Sequence, residues 1–100
     1  VEAEFFGEVT TLPAGPATVA FRTGAPILPV GCYYTDEYNG HLAIVRPPLS
    51  MVRTDAGLRA DVRRVTQSLA RELEFLIRRA PEQWHLFQPN WPSDPGYHER

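Results

Sequence analysis

The stretch PILPVGCYYTDEYNGHLAIV, residues 26–45, decides the fold class. Pro26–Thr35 is an almost continuous apolar run, the pattern of a strand covered on both faces in a parallel or mixed sheet flanked by helices. Pro29 interrupts that pattern, because proline cannot donate into a sheet ladder. Asn39-Gly40 is a strong hairpin signal, so His41–Val45 is expected to return antiparallel.

Towards the carboxyl end, Arg46-Pro47-Pro48-Leu49 is a rigid exit, and Thr54 or Asp55 is expected to cap the helix that follows. Leu58, Val62, Val65, Leu69, Leu73, Leu76, Ile77 and Ala80 recur at steps of three and four, which predicts one long amphipathic helix. Pro81 marks a kink or a new first turn. The segment RRAPEQWHLFQPNWPSD, residues 78–94, then places Trp84, Phe87 and Trp91 among prolines without helical or strand period. Burying one such side chain contributes roughly 1.5–3 kcal/mol, so this coil is expected to pack onto a body.

Towards the amino end, Val1–Phe6 alternates weakly and stops at Gly7, predicting a short strand with Glu8 just beyond it. Leu12–Pro16 reads as a turn into a short helix, with Pro16 in its first turn and Gly24 at its carboxyl cap. The sum is an α/β chain: a mixed sheet of about three strands, one short and one long helix, and an irregular aromatic tail over residues 88–100.

A formal charge of −2 argues against a surface that attracts nucleic acid. All ten basic residues are arginine, and Arg59, Arg63, Arg64, Arg71, Arg78 and Arg79 share the long helix. That row is either a solvated face or a surface for phosphate or anionic lipid, which guanidinium forks suit. Cys32 is the only cysteine, which excludes an intrachain disulfide and a cysteine-based zinc site and points to a reduced compartment. The longest apolar run is about half the roughly 20 residues a spanning helix needs. The chain opens on Val1 in strand-like alternation, so it is expected to be the carboxy-terminal part of a larger protein.

Chemistry-bearing residues are few. His41 opens a strand after a turn, His98 lies in the tail, and His85 sits between Trp84 and Leu86. Glu8 is the most suggestive carboxylate, because open α/β sheets bind ligands past the carboxyl ends of their strands. The Pro13-Ala14-Gly15 turn precedes a helix whose first amides lack partners and favour an anion.

Taken together, FFGEVTTLPAGPATVAFRTGAPILPVG (residues 5–31), VRPPLS (45–50) and RRAPEQWHLFQPNWPSD resemble the carboxy-terminal third of bacterial phosphatidylinositol mannoside acyltransferases, which belong with the lipid A lauroyl and myristoyl acyltransferases. The resemblance covers nearly the whole chain and implies a glycerolipid-acyltransferase-like fold, residues 1–100 being the carboxy-terminal part of one domain. It implies transfer of a fatty acyl group, palmitoyl by family habit, from acyl-CoA to a mannose hydroxyl of a phosphatidylinositol mannoside. The alternative acceptor is a Kdo-type lipid A precursor. The implied setting is peripheral, at the cytoplasmic face of the cell membrane, with no cofactor beyond the acyl-CoA donor and no metal.

In this family a histidine followed five residues later by a carboxylate acts as the base. Here His41 meets Arg46, His85 meets Asn90 and His98 runs out of chain, so the dyad is expected in an upstream half and the chain is expected to be inactive alone. The resemblance matches Glu8 to a glutamate that relays charge to that histidine. It matches Leu12-Pro13-Ala14-Gly15 to an acceptor-side Phe-Pro-Glu-Gly motif, with Ala14 where that motif has its glutamate. Two rival classes stand beside this reading: a non-catalytic module docking its arginine helix on anionic lipid, and an interaction domain using the Trp84 and Trp91 coil.

Overall fold

The computed structural model describes residues 1–84 and 90–96. Its elements run β1 (Glu2–Phe5), β2 (Glu8–Thr11), α1 (Gly15–Thr23), β3 (Val30–Tyr34), β4 (His41–Val45) and α2 (Leu58–Arg79), followed by a 3₁₀ turn at Pro81–Gln83. The α/β class stands, but the mixed three-stranded sheet does not. Among the described residues the strands form two separate antiparallel pairs, β1–β2 and β3–β4.

The extra strand is β2, which begins at Glu8. Phe6 and Gly7 both take positive φ, 52° and 82°, as a two-residue hairpin loop of the I′ class requires. Gly7 therefore turns the chain back on itself, and Glu8 pairs with Phe5. The expectation that Glu8 lies beyond a strand end is corrected accordingly.

The second hairpin follows the Asn39-Gly40 signal. Asn39 is left-handed at φ 54°, and the Thr35 amide donates to Gly40 O at 3.1 Å. β3 is shorter than the apolar run and is not covered on both faces. Val30, Cys32 and Tyr34 are exposed, opposite exposed Val45, Ala43 and His41. The inward residues are Gly31 and Tyr33, both half-buried, and Gly31 is there for close approach. A Cβ on it would lie 2.8 Å from Tyr33 Oη and 3.0 Å from Leu76 Cδ2.

α1 has Pro16 in its first turn, and the Gly24 amide closes it onto Ala20 O at 2.8 Å. α2 buries Val62, Val65 and Leu76 from the predicted stripe, with Leu58, Leu69, Leu73 and Ile77 half-buried. Ala17 of α1 packs with Val62 and Val65 to form the centre of the core, ringed by Phe21, Ile27, Leu49, Met51 and Leu58. The predicted side-chain cap is corrected: Gly57 precedes α2 and offers none. Instead the relation is reversed, with buried Asp61 accepting from Thr54 Oγ1 at 2.6 Å, Thr54 N at 3.0 Å and Arg53 Nε at 3.1 Å. The Thr54 hydroxyl and amide, and then Arg53, hold the Asp61 carboxyl below its ordinary value.

Candidate functional site

Glu8 is held where the first hairpin, α2 and the end of the chain meet. The hairpin that carries it is fixed by α2 through Glu4 and Phe6. Phe6 pays for its left-handed backbone with roughly 1–2 kcal/mol, and its amide donates to buried Glu74 Oε1 at 2.7 Å. Two residues back, Gln67 takes both outward groups of Glu4: its Oε1 accepts from Glu4 N at 2.8 Å and its Nε2 donates to Glu4 O at 2.8 Å. Arg71 adds 3.3 Å ion pairs to Glu4 and Glu74. Side chains of the helix thus satisfy the free edge of β1, where an unpaired strand edge would otherwise stand.

From the front, the side chain of Glu8 meets the tail. Ser93 N donates to Oε2 at 3.0 Å and Ser93 Oγ donates to Oε1 at 2.5 Å. Ser93 belongs to a turn in which Asp94 Oδ2 accepts from the amides of Asn90 and Trp91, each at 2.9 Å. The Trp91 amide, then the Asn90 amide, hold the Asp94 carboxyl below its ordinary value. Trp91 donates its indole N–H to Phe5 O at 2.8 Å and stacks on the Phe5 ring at 5.4 Å and 20°. The Thr10 hydroxyl donates to Asn90 O. The expected docking of the tail is borne out at Trp91; His85, Phe87 and His98 lie outside the described residues.

Two hollows flank this junction. An open groove of about 380 Å³ is lined by Phe6, Trp84 and Trp91, with Glu8, Ser93 and Asp94 on its polar side. Behind it lies an apolar cleft of about 360 Å³. One wall of that cleft is Val30–Tyr33, another is Leu73, Leu76 and Ile77 of α2, and Phe5 and Leu12 close it from the first hairpin. Ile77 and Trp84 line both hollows and so form the partition between them. A hollow of this size and lining suits an aliphatic chain, each buried methylene contributing about 0.8 kcal/mol.

Pro13 and Gly15 are exposed at the start of α1 and line neither hollow. Ala14, between them, is half-buried against the core and carries no capping side chain. The structure therefore places Glu8 and the Pro13–Gly15 turn at separate points of the surface. His41 is exposed on β4, its ring 5.3 Å from that of Tyr34. Among the described residues there is no cluster of three metal-ligating side chains.

Sequence reasoning missed Ser93, Gln67, Glu74 and Gln83. Gln67 and Glu74 stand seven residues apart, hence on one helix face, which marks a polar strip beside the apolar stripe. Gln83 repeats the Gln67 arrangement on the other hairpin, accepting from Tyr34 N at 2.8 Å and donating to Tyr34 O at 3.2 Å.

Residues 1–93 match the family model for bacterial lipid A biosynthesis acyltransferases. Among curated proteins, the chain is 42% identical over 94 residues to a phosphatidylinositol mannoside acyltransferase of Mycolicibacterium smegmatis, covering 94% of this chain and 28% of that protein. It is 39% identical over 94 residues to proteins of the same name from two Mycobacterium tuberculosis strains, CDC 1551 and H37Rv, covering 94% of this chain and 27% of each. The chain thus spans little more than a quarter of the length of the curated relatives it matches.

Proposed function

The chain belongs to the bacterial lipid A biosynthesis acyltransferase family, and from that membership we propose that it is the carboxy-terminal part of a single acyltransferase domain with a glycerolipid-acyltransferase-like fold. The enzyme moves a palmitoyl group from acyl-CoA to a mannose hydroxyl of a phosphatidylinositol mannoside. It works as a peripheral protein at the cytoplasmic face of the cell membrane, without a further cofactor. The observation that carries this reading is that the stretch similar to three mannoside acyltransferases contains both the apolar cleft and the Glu8 junction.

In this reading a histidine supplied by the upstream half removes the proton from the mannose hydroxyl. The alkoxide attacks the thioester carbonyl, and the tetrahedral intermediate collapses with release of the coenzyme A thiolate. Glu8 faces that histidine and stabilises the imidazolium, as a carboxylate does in a catalytic triad. The acyl chain lies in the cleft beside β3, and the Pro13–Gly15 turn faces the acceptor lipid.

The test is acyl transfer by the intact enzyme containing this chain, offered labelled palmitoyl-CoA with a mannoside acceptor and, separately, a lipid A precursor. Transfer to the mannoside is expected; transfer confined to the lipid A precursor would replace the acceptor, and no transfer to either would overturn the reading. Glu8→Gln is expected to lower kcat at least about 100-fold. The isolated 100-residue chain is expected to transfer nothing, and turnover by it would refute the missing base.

A further inference from the structure

Glu8 is not left to find its own orientation. We infer that Ser93 is a positioning residue for the Glu8 carboxylate, and that the Asn90–Asp94 turn exists to hold it. The inference rests on the reading of Glu8 as the partner of the catalytic base.

A glutamate has three rotatable bonds, so a fixed hairpin places its Cα without aiming its oxygens. Ser93 supplies one donor to each oxygen, the amide to Oε2 at 3.0 Å and the hydroxyl to Oε1 at 2.5 Å. Two donors on two oxygens fix both the position and the plane of the carboxylate. An ionised carboxylate has about four lone-pair sites, so two remain for a further donor such as an imidazole N–H. The open groove leaves room for that donor, since Glu8 lines it together with Phe6, Trp84 and Trp91.

A positioning group must itself be placed, and Ser93 is. Asp94 closes the turn around it through the Asn90 and Trp91 amides, and the Asp94 amide returns to Trp91 O at 2.9 Å. That turn is pinned to the hairpin at Phe5, through the Trp91 indole N–H and ring, and at Thr10, through Asn90 O. Phe5 is the cross-strand partner of Glu8. The tail is therefore anchored on the residue opposite the one it aims, so carboxylate and holder share one frame.

The experiment is a double-mutant cycle in the intact enzyme, reading kcat and KM for palmitoyl-CoA and the mannoside, with tryptophan emission to score folding. Ser93→Ala keeps the amide donor and loses the hydroxyl; kcat is expected to fall about 10-fold with KM unchanged. Ser93→Thr restores the hydroxyl and is expected to recover kcat to within about 2-fold of wild type. Ser93→Asp sets a charge against Glu8 and is expected to cost about 100-fold. On a Glu8→Gln background, Ser93→Ala is expected to add nothing further. Wild-type kcat in folded Ser93→Ala and Ser93→Asp, or a full additional loss on the Glu8→Gln background, overturns the role of Ser93 while leaving Glu8 in place. Wild-type kcat in Glu8→Gln overturns both, and so separates failure of the inference from failure of the reading beneath it.

Discussion

The β1–β2 and β3–β4 hairpins have strands of four and five residues, and both lean on α2, yet α2 treats them differently. On the first, polar side chains of the helix bond directly to hairpin backbone: Gln67 to Glu4, Glu74 to Phe6. On the second, the helix offers mainly apolar contact, with Tyr33 Oη donating to Leu76 O at 2.5 Å and Arg46 paired with Glu72 at 2.6 Å. The first hairpin is fixed in position, as suits an element that carries a carboxylate to be aimed. The second is a wall, one face lining the apolar cleft and the other, with Tyr34 and Val45, open to solvent.

The comparison breaks most visibly at Glu74. Glu74→Ala strands the Phe6 amide and leaves Arg71 without a buried partner, so unfolding free energy is expected to fall by about 3 kcal/mol in urea titration of the intact enzyme. A loss below about 1 kcal/mol would mean that the first hairpin is not held by its edge. Next comes Gly31→Ala in the wall, where an added methyl meets Tyr33 and Leu76. About 2 kcal/mol of overpacking is expected, together with weaker binding of a palmitoyl chain in a fatty-acid displacement assay.

Acid offers a gentler break in the first hairpin's tail. The Asp94 carboxyl is depressed by the Trp91 and Asn90 amides. Its contribution is therefore complete above the unfolded value of about 3.9 and lost as pH falls through the lower folded value. Tryptophan emission is expected to hold constant from pH 7 to about 5 and to shift below about 4, and Asp94→Asn should remove that step. The smallest effect belongs to the open face: Val45→Thr is expected to change stability by under about 0.5 kcal/mol in the isolated chain. A larger change in the intact enzyme would show that this face is covered there.

Much of the frame was legible from sequence. The Leu58–Ala80 stripe marked α2, Pro16 and Gly24 bounded α1, and Asn39-Gly40 located the second hairpin. β2 escaped because its loop is Phe6-Gly7: the left-handed φ of Phe6 is imposed by the hairpin and held by Glu74, 68 residues away. The apolar run at 26–35 suggested a strand covered on both faces, but coverage depends on what packs against it. Pro26–Pro29 lie outside β3, although Pro29 O still accepts from Arg46 N at 2.8 Å. For the candidate site, Glu8 was visible through resemblance, while its holder Ser93 is 85 residues distant and has no local signature.

The two glutamines set a gauge. A side-chain amide carries the same donor and acceptor as a peptide unit, so Gln67 and Gln83 each stand in for a single residue of a neighbouring strand. The helix between them advances about 1.5 Å and turns about 100° per residue, so one inserted or deleted residue would carry one amide round the axis and off its strand. Either hairpin could then keep its mate, but not both. The length of α2 thereby fixes the spacing of Glu8 from the cleft wall, and with it, in the proposed reading, the distance between the acyl chain and the carboxylate.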